Sequence, residues 1–290
     1  MYPFLNLGFA HVGTFGLLLW LAAVCGTIVL HKNFVRQGVD ADALNVVTLV
    51  VLTGILGAKT WHELQSMRDL EMAWRQIMLP GASHPIDIFM GFLRWFQAGF
   101  AWYGGLLAGI LMLLIQGILT KPNGLLGGRA ALRMLDLAAP AAAIGYGVGR
   151  IGCLTSGDGD YGMNTTLPWG VHMSRLALVP PTPPDALVQP TPIYEFLFAL
   201  LLFWWLWNRG RKPQSLGLLT GEYLVISGVG RFLVEFVRIN PRIYWGMSNA
   251  QVAALGSIAF GIVMMLVCRN NPKIMGQPLV KLPDEATATA

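Results

Sequence analysis

Charge is scarce in this chain. Asp, Glu, Lys and Arg make up 12% of its 290 residues, about half of the ~25% usual in soluble domains. That sets aside a soluble protein with a large helical core. The formal net charge of +5 is modest and points away from nucleic acid as a partner. Cysteine is scarcer still. Cys25, Cys153 and Cys268 stand far apart with no C-x-x-C spacing, which gives a metal or redox motif no footing. Cys25 and Cys268 fall inside or at the end of apolar runs and read as packing residues. Cys153 packs or lines a polar site and is not read as a nucleophile. His11, His31, His62, His84 and His172 fall in no ligand spacing, so no metal and no cofactor is expected. No Lys or Arg precedes Lys32, so a cleavable signal peptide is not expected. No clear internal repeat of the transporter kind stands out.

What is abundant is apolar surface. Hydrophobic residues make up 54% of the chain, with ten Trp and a mean hydropathy of +0.56. The composition predicts an all-α integral membrane protein, since a span needs about 20 apolar residues. Seven spans are predicted: Val12–Leu30, Leu44–Ala58, Phe96–Leu119, Leu132–Val148, Pro192–Trp207, Leu216–Val237 and Ala250–Cys268. The second is short, and Lys59 is expected to snorkel at its end. Basic residues decide the orientation. Lys32 and Arg36, then Lys121, Arg129 and Arg133, then Arg209, Arg211 and Lys212, then Arg269, Lys273 and Lys281 all fall on one side of such a chain. The positive-inside rule puts that side in the cytoplasm, with the N-terminus outside and the C-terminus cytoplasmic. Residues 1–268 then form one membrane domain, with outward loops near 60–95 and 150–191. An interfacial amphipathic helix is expected around Trp61–Met78. The proline-rich end of the second loop is expected to run extended, and the 269–290 tail to be disordered.

The charges inside the spans carry the functional reading. Gly149-Arg150-Ile151-Gly152 closes an alanine-rich span and precedes Thr155-Ser156-Gly157-Asp158-Gly159-Asp160-Tyr161-Gly162. Glycines let backbone approach a ligand, and a guanidinium grips phosphate at two points. Arg231, Glu235 and Arg238 are spaced i, i+4, i+7, one face of a helix. Each charge costs about 2.5–3.5 kcal/mol to insert. The stripe is either a self-neutralising structural group or a site. Tyr194-Glu195 and Tyr103-Gly104-Gly105 reach the same outer level. Asp136 and Arg133 sit nearer the cytoplasm and read as a local structural pair. The converging arginines, carboxylates and glycines fit an anionic lipid headgroup.

These segments resemble the prolipoprotein diacylglyceryl transferase family. Gly149-Arg150-Ile151-Gly152 is similar to the start of its G-R-x-G signature, which continues N-F-x-N-x-E. Phe100-Ala101-Trp102-Tyr103-Gly104-Gly105 resembles its F-x-x-H-G-G segment, and Tyr194-Glu195 its Y-E pair. Gly230 to Arg238 resembles its late R-F-x-V-E-F-x-R segment, the most specific of the four matches. The resemblance implies a bacterial inner-membrane enzyme. It would move a diacylglyceryl group from phosphatidylglycerol to the lipobox cysteine thiol of a prolipoprotein, releasing glycerol phosphate. It implies a catalytic set of Arg231, Tyr103, Glu235 and Asp158. The implied binding set is Arg150, Arg238, Gly104, Gly105, Gly152 and Glu195. On that model Arg150 and Arg231 hold the lipid phosphate, while Glu235 and Arg238 orient the arginines and the leaving group. The chain also departs from the pattern. The family's His is Tyr103 here, its two Asn are Cys153 and Ser156, its Glu is Asp158, and a tyrosine of its first helix is Phe15. A phenol is a poor base at neutral pH but still donates a hydrogen bond to phosphate. The base role passes to Asp158 or Asp160. A lipid-binding protein without catalysis and a transporter are the alternatives.

Overall fold

The computed structural model describes residues 3–6, 8, 11–65, 71, 85–97, 99, 101–173, 177–181, 183 and 185–275. Its helices are α1 (Thr14–Arg36), α2 (Ala43–Gln65), α3 (Pro85–Gln97), α4 (Trp102–Thr120), α5 (Gly127–Ser156), α6 (Thr191–Arg209), α7 (Leu218–Val234) and α8 (Asn249–Cys268). Among the described residues, five (α1, α2, α4, α5 and α8) are long and apolar enough to cross a membrane. Residues 276–290 of the expected 269–290 tail and most of the expected helix over 61–78 lie outside the described residues. The part of the tail that is described does not run free: Lys273–Met275 pairs antiparallel with Gln214–Ser215.

Local chemistry sets the helix ends. Lys121 takes a left-handed φ of 49° before Pro122 and stops α4. Gly157, at φ 63°, stops α5. Ser248 and Gln251 form a capping box that starts α8. Several predicted ends shift for identifiable reasons. α2 runs on to Gln65 because Lys59 does not snorkel. Its Nζ is buried 2.8 Å from Glu63 Oε1 and donates to the Trp95 carbonyl at 2.6 Å. The third predicted span breaks at Gly99 (φ 68°), against which the His62 ring packs.

α5 is the axis of the bundle, enclosed by α1, α4, α6 and α7, while α2 pairs with α4 and α8 with α7. Its buried face is mostly small: Ala130, Ala131, Ala138, Ala139, Ala141, Ala143 and Gly147, with Met134 and Leu137 as larger knobs. Small residues let helices meet closely, which matters where lipid removes the hydrophobic drive for association. The same device joins α2 to α4, where a Cβ on Gly57 would lie 2.6 Å from the Gly104 carbonyl oxygen.

A buried polar layer closes one end of α5. Asp136 accepts from Gly217 N at 2.6 Å, Thr220 N at 2.9 Å and Thr220 Oγ1 at 2.7 Å. It is therefore a capping anion for α7, whose own N-cap is a glycine. Arg133 instead donates to Asn123 Oδ1 at 2.8 Å and to Gln37 Oε1 at 3.3 Å. Both are structural groups, as expected; each stitches distant segments, and the two charges also interact with each other. From Asp136 to Arg150 the helix advances about 21 Å to the opposite end.

Candidate active site

At that far end, α5 delivers Arg150, α6 opens with Glu195, and α7 closes with Arg231. α7 stops at Val234, and Glu235–Val237 is a 3-10 turn that leaves Arg238 extended. Arg238 is thus off the helical face that its spacing predicts. It reaches the same place because the chain turns inward.

Glu195 is the hub. Its Oε1 lies 2.8 Å from Arg231 Nη1, 3.2 Å from Arg150 Nη2 and 2.5 Å from the Tyr146 hydroxyl, while its Oε2 lies 3.4 Å from Arg238 Nη1. Tyr146 also accepts from Arg150 Nε at 3.0 Å. It lies one helical turn before Arg150, a spacing that marks it as a face neighbour, and was not among the predicted site residues. Glu235 meets Arg231 at 2.9 Å and Arg238 at 3.6 Å, and is steadied by Asn240 at 2.5 Å and Ser248 at 2.8 Å. Asp160 completes the ring, its carboxylate bridging Arg150 and Arg238. Three guanidiniums therefore face three carboxylates.

Backbone pairing fixes Asp160 there. Gly162 bridges to Arg238, Met163 N donates to Val237 O at 2.8 Å, and Thr191 Oγ1 donates to the Asp160 carbonyl at 2.6 Å. Burial pushes the Asp160 carboxyl upward, but the two guanidiniums outweigh it and hold it below the ordinary carboxylate range. Asp158, half-buried next door, is shifted the other way by burial and by the Asp160 charge. Cys153 Sγ, Asp158 and Asp160 offer ligand atoms within 4.8 Å of one another. The guanidiniums against Asp160 make this a poor seat for a cation.

The remaining predicted residues lie elsewhere. Tyr103 is 38% exposed at the start of α4. Among the described residues no hydrogen bond or ion pair joins it to the cluster. Gly104 and Gly105 face α2, where Gly57, Trp61, Gly54 and Ala58 occupy the space a side chain would need. Gly152 faces α1, with Phe15 and Leu18 3.3 and 3.4 Å from where its Cβ would be. These three glycines are helix-contact residues, not lining of the cluster.

The sequence model of the prolipoprotein diacylglyceryl transferase family matches residues 3–267. The chain belongs to that family. It is 30% identical over 257 residues to phosphatidylglycerol–prolipoprotein diacylglyceryl transferase 2 of Clostridium perfringens, covering 87% of this chain and 89% of the relative. Similar proteins include the phosphatidylglycerol–prolipoprotein diacylglyceryl transferases of Clostridium tetani (30% over 257 residues; 88% and 92%) and Methylibium petroleiphilum (30% over 266 residues; 89% of each chain). The four segments that resemble the transferase family are thus part of a match that spans nearly the whole chain. Three of them, around Arg150, Glu195 and Arg231, supply every charge of the ion cluster except Asp160. The fourth, Phe100 to Gly105, supplies the α2–α4 contact.

Proposed function

We propose that this chain is a membrane transferase moving a diacylglyceryl group from phosphatidylglycerol to the lipobox cysteine thiol of a prolipoprotein, with glycerol phosphate as the leaving group. The observation that carries the reading is the convergence of Arg150, Arg231 and Arg238 from separate segments around one point. Family membership narrows the anion to a lipid phosphate.

In the reaction a thiolate attacks the diacylglyceryl carbon, the carbon–oxygen bond breaks, and its electron pair leaves on phosphate. The leaving group gains a second negative charge. Guanidiniums fixed in a site with little water stabilise that charge without reorganising. Arg150 and Arg231, the more accessible pair at 15% and 24% side-chain exposure, hold the phosphate. Arg238, buried between Glu195, Glu235 and Asp160, orients the other two arginines and the leaving phosphate. Glu235 orients Arg231. No described contact gives Tyr103 a share in this step.

The same reading makes α6 and α7 spans as well. Their 19 and 17 residues reach about 28 and 25 Å, near the thickness of the hydrocarbon core. That gives seven crossings, with the basic segments inside, the N-terminus outside and the ion cluster under the outer face of the bacterial inner membrane. The test is to incubate purified protein with phosphatidylglycerol and a lipobox peptide. Thioether-linked diacylglyceryl peptide and free glycerol phosphate are expected. Lipid binding without release of glycerol phosphate would make the chain a binding protein.

A further inference from the structure

Asp160 sits on two of the three arginines that the transferase reading assigns to the lipid phosphate. It is an internal anion on Arg150 and Arg238. Of the three cluster carboxylates it is the accessible one, with its side chain 27% exposed against 4% for Glu195 and 1% for Glu235. It also follows two left-handed glycines in its loop, Gly157 at φ 63° and Gly159 at φ 92°. We infer that the lipid phosphate displaces Asp160 from Arg150 and Arg238, and that the freed carboxylate is the base that takes the proton from the incoming thiol.

The inference rests on the transferase reading and adds the base that the reading lacks. Charge balance supports the displacement. The empty cluster sets three guanidiniums against three carboxylates, so a phosphodiester monoanion brings one negative charge too many. Moving Asp160 off the arginines, then neutralising it with the thiol proton, keeps that surplus from growing as the leaving phosphate gains its second charge. Atoms and charges close. The sulfur–carbon bond forms, the carbon–oxygen bond breaks, the electron pair goes to glycerol phosphate, and the proton goes to Asp160 and then to product or water. No other reactant is required.

The groups facing Asp160 are Arg150 and Cys153 from α5, Asp158 on its own loop, Thr191 from α6 and Arg238 beyond α7. Once the two arginines turn to phosphate, burial, the largest influence on Asp160, remains and raises its proton affinity, opposed only by the Cys153 hydrogen bond. Asp160 is thus a weak base in the empty enzyme and a stronger one in the complex. Asp158 shares the switch only weakly: among the described residues neither arginine forms an ion pair with it, and the Arg150 charge is the smallest influence on it. Instead it accepts from the Asp160 backbone N–H at 3.2 Å and holds the loop.

The test compares wild type, Asp160→Asn, Asp160→Glu and Asp158→Asn, purified in detergent, for phosphatidylglycerol binding and for pH-dependent transfer to a lipobox peptide. Wild type is expected to show an acid limb in kcat at higher pH than the acid limb in kcat/KM, because these report the complex and the free enzyme respectively. Asp160→Asn is expected to bind phosphatidylglycerol about tenfold tighter, since a competing state is removed. Its kcat should drop by about 10²–10⁴-fold, the usual worth of a general base, and lose the acid limb. Asp160→Glu should keep the limb at reduced rate, which guards against a folding defect in the Asn variant. Unchanged kcat in Asp160→Asn, weaker lipid binding with normal thermal stability, or loss of the limb in Asp158→Asn instead would overturn the inference. If wild type itself fails to turn over, the transferase reading falls; if wild type works and Asp160→Asn matches it, only the base assignment falls.

Discussion

Glu195→Ala is the sharpest test of the cluster. It removes the acid that touches all three guanidiniums and the Tyr146 hydroxyl. Three cations then face two carboxylates. Removing one partner of a buried pair costs about 3–5 kcal/mol. Arg150 and Arg231 keep part of their solvent contact, which favours the lower end, whereas Arg238 is only 4% exposed and favours the higher. A loss of about 3 kcal/mol follows, or about 6–12 °C in melting temperature if soluble-domain scaling carries over to detergent. Glu195→Gln keeps the volume and one acceptor and should lose about half as much. Glu222→Ala is the control. Glu222 also ties α7 to α6, through Trp205 and Arg209, but the Arg209 side chain is 35% exposed, so the expected loss is about 1 kcal/mol or less. Combining Glu195→Ala with Arg238→Gln should cost less than the two single changes together, since neighbours in one network couple by about 0.5–3 kcal/mol. Melting in detergent reads all of these. A Glu195→Ala shift no larger than that of Glu222→Ala, or strict additivity with Arg238→Gln, refutes the cluster as described.

Arg231→Ala should abolish transfer while the protein stays inserted, and Arg231→Lys should not restore it, because an ammonium cannot reach Glu195 and Glu235 as a fork; near-normal turnover would remove Arg231 from the mechanism. Tyr103→Phe should leave kcat within about threefold, below the 10²-fold scale of a working acid–base group, and a larger loss would return its hydroxyl to the site. Asp136→Ala strips the acceptor from two backbone N–H groups and should cost about 2–4 kcal/mol, read by melting, with kcat kept below the melting range. The Asp160 carboxyl is held low in the folded protein, so its pairing stabilises above the ordinary carboxylate range of about 4 and is lost as pH falls through the lowered folded value. The stability gap between wild type and Asp160→Asn should therefore be widest at neutral pH and close on acidification, and a pH-independent gap would assign the effect to packing.

Apolar runs made the long helices legible, and two of their ends were misplaced for the same reason: a polar residue reads as an exit when its partner is unknown. Lys59 reads as a snorkelling end, yet Glu63 one turn on and the Trp95 carbonyl let α2 continue. Gly149 to Gly152 reads as the end of a span, yet the helix holds to Ser156 because Arg150 finds Tyr146 within the helix and Glu195 across it. Within the site, Arg231 and Glu235 were legible because i, i+4 spacing is a local signal. The place of Asp160 was not, because it depends on the pairing of Gly162 with Arg238, a contact between distant segments that leaves no periodic trace.

α5 carries a buried ionic group at each end, and sequence alone ranks them by their position along the span. Access separates them more firmly. Arg133 and Asp136 are fully buried, with their partners supplied by backbone and by fixed side chains. A ligand entering there would have to break a helix cap. At the other end the cluster closes over Asp160, which is part-exposed and held on its side-chain oxygens by Arg150, Arg238 and Cys153. An anion of equal charge can replace such a group without exposing any backbone. Of the two ends of α5 only this one offers that exchange, which supports the proposed placing of the lipid phosphate at Arg150 and not at Arg133.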